Sequence, residues 1–287
     1  MVTELLLAHG VRVRAQVRVD DERAATLRDL GAEVVVGDLL DLTAAHRAIE
    51  GCERLLRDVG LAELSRSRCQ RRWRCKAPWR EGIRQSLPDD RQRDGHLQHV
   101  RQPQQKQHWL AEQILSWSGL PVVEVRPTAF MEGLFLQSVT GVTMQNKIMA
   151  PLGKGKNSAI AAFDVARVIA EILSDPTEHI GKTYHLTGHV SQDLDAVARE
   201  FSAALGRTIS YVDVPPEMMK DQLAAFEIPP HVISHVVTMA QLHRDNRYDR
   251  FSKDVEGLTG IPPMSVREFV QKNAYAFAPV APSSAAE

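Results

Sequence analysis

The tightest constraint on this chain is a change of hydrophobic period between residues 11 and 38. Val11, Val13, Ala15 and Val17 alternate with polar residues, the pattern of a strand with one buried face. Ala24, Leu27 and Leu30 then share one side of a helix that Asp20 or Asp21 caps and Gly31 stops. Val34-Val35-Val36 follows as a short continuous apolar strand running into the turn at Gly37-Asp38. Two strands joined by a helix pair in parallel, and a parallel sheet needs helices on its faces, so the expected class is α/β. Before this unit, Glu4 to Gly10 reads as the last turns of an apolar helix stopped by glycine.

The same grammar returns after residue 103. Gln104 to Ser118 is expected to be a helix with Leu110, Ile114 and Trp117 facing inward, and Pro121 to Thr128 a strand leaving into a loop. Asp164 is expected to cap a helix burying Val165, Val168, Ile169 and Ile172, with Lys182 to Gly188 a further strand. A helix beginning at Ser191 turns Leu194, Val197, Ala198, Phe201 and Leu205 inward and stops at Gly206. Tyr211 to Val214 is strand-like and ends at Pro215-Pro216. Residues 217–277 are expected to be mainly helical with a loop at 260–263, and the tail 278–287 to be disordered.

Residues 57–101 break the pattern. They hold 11 of the 26 arginines; with Lys76 against six acids the stretch is +6, leaving −7 on the rest of a chain whose net charge is −1. Neither the helical nor the strand period runs through it, so it reads as loop or disorder. Three explanations stay open. Arginines beside Trp73 and Trp79 suit phosphates and stacked bases, but no nucleic-acid-binding fold signature surrounds them. A solvated insertion is the plain alternative. The third is translation out of frame. With a permitted choice of codons, Gly82 to Asp90 read one nucleotide later gives AFVNLSQM, a strand running into a polar turn. The same shift over Gln70 to Glu81 permits a helix in which the codons of Trp73 and Trp79 become glycines.

Several classes are excluded or disfavoured. No run approaches the roughly 18 apolar residues of a membrane span, and the opening ten residues are too short in apolar content for a signal peptide, so a cytoplasmic protein is expected. Three cysteines, Cys52, Cys69 and Cys75, make no disulfide framework. The near-neutral net charge argues against nucleic acid as partner of the whole chain.

The runs VRVRAQVRVDDERAATLRDLGAEVVVGDLLD, LSWSGLPVVEVRPTAFMEG, AAFDVARVIAEIL, KTYHLTG and AREFSAALGRTISYVDVPPE, in this order, resemble the NmrA-like branch of the atypical short-chain dehydrogenase/reductase superfamily. The resemblance implies a Rossmann-like, doubly wound parallel sheet with a small, mainly helical C-terminal substrate region. Residues 1–150 would be an incomplete NAD(P)-binding region, 151–277 the substrate region completing the sheet, and 278–287 a tail. It implies NADP(H) as cofactor and an NAD(P)H-dependent oxidoreductase passing hydride to a quinone or other small electrophile. Two alternatives stay open: a non-catalytic NADP(H) sensor that binds a regulatory protein, and a product with no retained function. A small-molecule substrate and a protein partner or homodimer are the expected partners.

The expected cofactor residues lie at strand ends. Arg18 resembles the arginine that pairs with the 2′-phosphate of NADP, since a guanidinium presents a fork of donors to phosphate; it would equally serve as a solvated strand end. Asp38 and Leu39 resemble the adenine-side pair, although Asp38 can also cap its own turn. Pro127 and Thr128 would line the nicotinamide side or simply form a turn. Pyrophosphate binding needs a strand, a glycine-rich turn and a helix N-terminus, and no GxGxxG or GxxGxxG occurs. The expectation is therefore a chain that starts late or is truncated, lacking its central strand and phosphate cradle.

No catalytic residue is identified. None of Tyr184, Tyr211, Tyr248 and Tyr275 is followed by lysine four residues on, so the tyrosine–lysine relay is absent. Lys106 and His108 lie near the position of a family lysine but are read as surface residues. Gly153 to Ser158 lacks phosphate-loop spacing and is expected to be a hairpin turn. His231 and His235, four apart, have no Glu after His231, and no metal site is expected.

Overall fold

The computed structural model describes residues 1–58, 81–85, 103–226 and 228–278. They fall into two compact units. The described parts of the first lie in 1–87, 103–126 and 165–184, and those of the second in 127–164 and 185–287. Residues 127–150 thus group with the C-terminal part and 165–184 with the N-terminal part, because packing rather than chain order sets the division.

In the first unit, helix α1 (Val2–Ala8) ends before Gly10, which takes φ 75° and donates its N–H to the Leu7 carbonyl. Strands β1 (Arg14–Val17) and β2 (Glu33–Val36) pair in parallel from Arg14↔Glu33 to Val17↔Val36, and that first pair carries an ion pair of 2.9 Å. Between them runs α2 (Glu22–Asp29). Asp21 caps it by accepting from the Arg23 and Ala24 amides, and Ala24 is its buried contact. Helix α3 (Leu42–Ile49) is capped by Asp41 and buries Ala44, Ala45 and Ala48. Gly37 lets β2 run out beneath α3, for a Cβ there would stand 2.8 Å from the Ala44 Cβ.

A four-stranded sheet follows, in the order β3 (Arg54–Asp58), β4 (Glu81–Gln85), β5 (Val122–Pro127), β7 (Thr183–Leu186), with β3–β4 and β4–β5 parallel. This corrects the reading of 57–101 as wholly loop: Arg57 and Asp58 finish β3, and Glu81 to Gln85 form a strand in the frame as written. Pairing on both sides supplies β4 with its ladder hydrogen bonds whatever its poor strand propensity, so context outweighs composition there. The rest of 57–101, and the shifted helix over 70–80, lie outside the described residues.

Helix α4 (Pro103–Trp117) forms as expected but with its face reversed. Leu110, Ile114 and Trp117 are exposed, whereas Glu112 is buried and ion-paired to Arg126 of β5, which also meets Glu124 at 2.8 Å. The carboxylate turns inward because a guanidinium from the neighbouring strand meets it. Helix α7 (Ala162–Ser174) buries Val165, Val168, Ile169 and Ile172 as predicted, and Arg54 donates to the Leu173 and Ser174 carbonyls at its C-terminus.

The second unit is built around aromatic packing. Helix α8 (Leu194–Leu205) buries Leu194, Val197, Ala198 and Phe201; Asp193, not Ser191, is its N-cap, and Gly206 ends it at φ 66°. Phe201 meets Phe135 and Phe277 edge-on at 5.1 and 5.2 Å. Phe135 belongs to α5 (Met131–Leu136), which α6 (Val139–Gln145) follows; Phe277 ends a short 3₁₀ turn (Ala274–Phe277) after α12 (Val266–Lys272), whose Ser265 and Glu268 form a capping box. Strands β6 (Lys147–Ala150) and β8 (Ser210–Asp213) pair in parallel. The expected hairpin at 153–158 is instead part of the loop from β6 to α7, since β6 finds its partner in β8. Asp164 lies inside α7 rather than capping it, and its carboxylate accepts from the Met264 amide at 2.7 Å. Helices α9 (Pro216–Ala225), α10 (Pro230–Arg244) and α11 (Asp254–Thr259) complete the mainly helical C-terminal part.

Candidate functional site

The C-terminal edge of the β1–β2 pair gathers three of the five residues predicted from sequence. Register places Val17 opposite Val36, so Arg18 and Gly37 leave the sheet side by side. Arg18 is exposed. Its acidic neighbours are engaged elsewhere: Asp20 receives Arg28 through two hydrogen bonds of 2.8 and 3.0 Å, and Asp21 receives Arg23 at 2.6 and 3.0 Å. Those guanidiniums hold both carboxyls below the ordinary carboxylate value. Among the described residues, Arg18 makes no ion pair, and its fork of donors is left to solvent.

Asp38 closes its own turn by accepting the Leu40 amide at 2.8 Å, and Leu39 is exposed beside it. Sequence reasoning missed the rest of this surface. Val19, Val36 and Leu40 are exposed as well, so exposed apolar residues flank Arg18 and Asp38 in sequence at the ends of the two paired strands. The signal was present in the run Val34 to Leu40, apolar on both sides of Gly37 and Asp38. Exposed apolar residues and a guanidinium without an ion pair, at the C-terminal end of parallel strands, suit a flat ring carrying a nearby phosphate.

Pro127 and Thr128 belong to the second unit, and both are buried. The Thr128 hydroxyl donates to the Ser158 carbonyl at 2.5 Å and approaches the Leu186 carbonyl at 3.3 Å, while its amide donates to Leu186. Gly188 closes the same seam, for a Cβ on it would overlap the Ala159 carbonyl. Thr187 and Ser252 extend the lattice, the Thr187 hydroxyl donating to the Ser252 carbonyl and Ser252 to that of His185. Thr128 therefore ties loop to strand with its hydroxyl hydrogen already used. The Ser158 hydroxyl, buried beside it, has no hydrogen-bond partner among the described residues.

The remaining candidates separate clearly. Lys106 and His108 fall in the first turns of α4, and their side chains lie outside those described. On α10, His231 is exposed and His235 half-buried, with burial lowering the imidazole pKa. Among the described residues no group of three His, Cys, Asp or Glu side chains comes together as a metal site. Tyr184 meets His179 Nδ1 at 2.8 Å, and Tyr211 donates to the Ala150 carbonyl, its phenol pushed up by burial. His243 is buried against Tyr248, with ring centroids 4.4 Å apart. Among the described residues no helix is long and apolar enough to cross a membrane.

A parallel α/β fold of Rossmann-like type, with exposed strand ends at its first strand pair, is the class these features define. Comparison with known proteins agrees. The profile described as the NmrA-like family matches residues 1–270, and the chain belongs to that family. An NAD(P)H azoreductase of Xenophilus azovorans is 29% identical over 177 residues, 61% of each chain, so the match spans about three-fifths of that relative's length. The fold is similar to that of the NADPH-dependent quinone oxidoreductase QOR2 of Escherichia coli, solved with NADPH, at TM-score 0.76, 20% identity and 95% coverage of both chains. It is also similar to NmrA, a negative transcriptional regulator solved with NADP, at TM-score 0.71, 17% identity and coverage of 95% and 92%.

Proposed function

We propose that the chain descends from NAD(P)H-dependent reductases of small electrophiles and holds the adenosine end of NADP(H) on the C-terminal edge of β1–β2. The observation that carries this reading is the exposed Arg18, without an ion pair among the described residues, at the same strand-end edge as the exposed Val36, Leu39 and Leu40. The guanidinium takes the 2′-phosphate, the exposed apolar residues take the adenine ring, and the Asp38 turn fixes the backbone between them. When bound, the nicotinamide supplies a hydride to an electron-poor acceptor. A quinone or azo compound is the favoured substrate class, in keeping with the azoreductase relative. Pro127 and Thr128 shape the nicotinamide side as buried scaffold, since the Thr128 hydroxyl hydrogen is committed to protein carbonyls.

Calorimetric titration of the full chain should show NADPH binding more tightly than NADH. Arg18→Ala should erase that preference while leaving NADH binding unchanged. Equal affinity of the natural chain for the two nucleotides, or an Arg18→Ala variant that keeps the preference, would overturn the site. At millimolar NADPH, quinone-dependent loss of absorbance at 340 nm supports the reductase; binding without turnover favours a sensor instead.

A further inference from the structure

Within the second unit, the loop from β6 to α7 meets the start of α8 at one antiparallel bridge. Asn157 and Gln192 exchange both backbone hydrogen bonds across it, at 3.1 and 3.0 Å, so their side chains leave the bridge on the same side. On that side lies a small cavity walled by Phe135 of α5, Leu194 and Val197 of α8 and Val266 of α12, with both carboxamides lining it. Its walls leave room for about one water molecule and carry no charged side chain, so neither an organic ring nor an ion suits it.

Asn157 is 5% exposed, and among the described residues its carboxamide makes no hydrogen bond. A buried carboxamide that bonds to nothing is costly, so the group needs a partner that fits the space beside it. Gln192 is oriented from behind: its Nε2 donates to Glu200 Oε1 at 2.6 Å, and Glu200 Oε2 accepts the Arg267 amide at 2.9 Å. That leaves Gln192 Oε1 without a partner among the described residues, next to Asn157. Ser158 makes the contrasting case, for its unpartnered hydroxyl is enclosed by protein atoms and does not line the cavity. We infer that a single ordered water sits in this cavity and bridges the carboxamides of Asn157 and Gln192. It accepts from Asn157 Nδ2 and donates to Gln192 Oε1. The bridge ties the loop to α8 beside Ser158, whose carbonyl receives the Thr128 hydroxyl, and so steadies the scaffold at the end of β5. The inference holds whether or not the chain binds a nucleotide.

Water–protein NOE and ROE spectra of the full chain test it. The Asn157 side-chain amide should show cross-peaks to water with the sign of a long-lived molecule. Water relaxation dispersion should count one fewer long-lived water in Asn157→Leu than in the natural chain, and the same number in Ser158→Ala. Should Asn157→Leu fail to fold, the natural chain decides alone, through the Asn157 cross-peaks and those of the Val197 and Val266 methyls, which line the same cavity. Absence of water cross-peaks at Asn157, an equal count in Asn157→Leu, or a water lost in Ser158→Ala would each overturn the proposal.

Discussion

His243 offers a quantitative test of how the second unit is packed. It lies in the last turn of α10 with its ring against Tyr248 and with no hydrogen-bond partner for Nδ1 among the described residues, and the Arg250 guanidinium stands 5.4 Å from the Tyr248 ring on the same loop. Burial lowers its pKa from 6.5 to about 4, because taking the imidazolium out of water disfavours the charged form. The unfolded chain therefore binds a proton at His243 more readily than the folded one. Above the unfolded value of 6.5 the group is neutral in both states and costs nothing; as pH falls from 6.5 towards 4 the penalty grows, and below 4 it is constant. Between pH 7 and pH 5 this one group should remove about 2 kcal/mol of stability. The assay is urea unfolding followed by circular dichroism at both pH values, for the natural chain and for His243→Gln. The variant should lose less stability on acidification by about that amount, since the other titrating groups are common to both. Carbon-detected titration of the histidine ring gives the direct readout. A His243 resonance titrating near 6.5, or equal acid sensitivity of the two proteins, would refute the packing argument.

Two further substitutions probe the same unit. Phe201→Ala empties a fully buried site that contacts two other rings edge-on, and should cost about 3–5 kcal/mol in urea unfolding. Gly188→Ala forces a Cβ into the Ala159 carbonyl and should cost about 1–3 kcal/mol by the same measurement, with the loss reported locally by faster amide exchange at Gly188, whose N–H donates to Ser158.

What could be read from sequence follows from the range of the forces involved. Helix α8 was legible almost residue by residue because its apolar stripe and terminal glycine are local, and the cap moved only from Ser191 to Asp193. That Arg18, Asp38 and Leu39 follow the ends of strands was legible for the same reason, since the period changes on either side of them. Thr128 was placed correctly at the end of a strand, but the carbonyls that consume its hydroxyl come from positions 30 and 58 residues away, and no local pattern carries that information. In α4, periodicity told which residues share a face but not which face turns inward. That choice rests on Arg126, 14 residues beyond Glu112, and an ion pair across a strand and a helix outweighed three apolar side chains. Strand β4 shows the limit in the other direction: its residues argue for loop, yet β3 and β5 leave a ladder that any five residues without proline can complete.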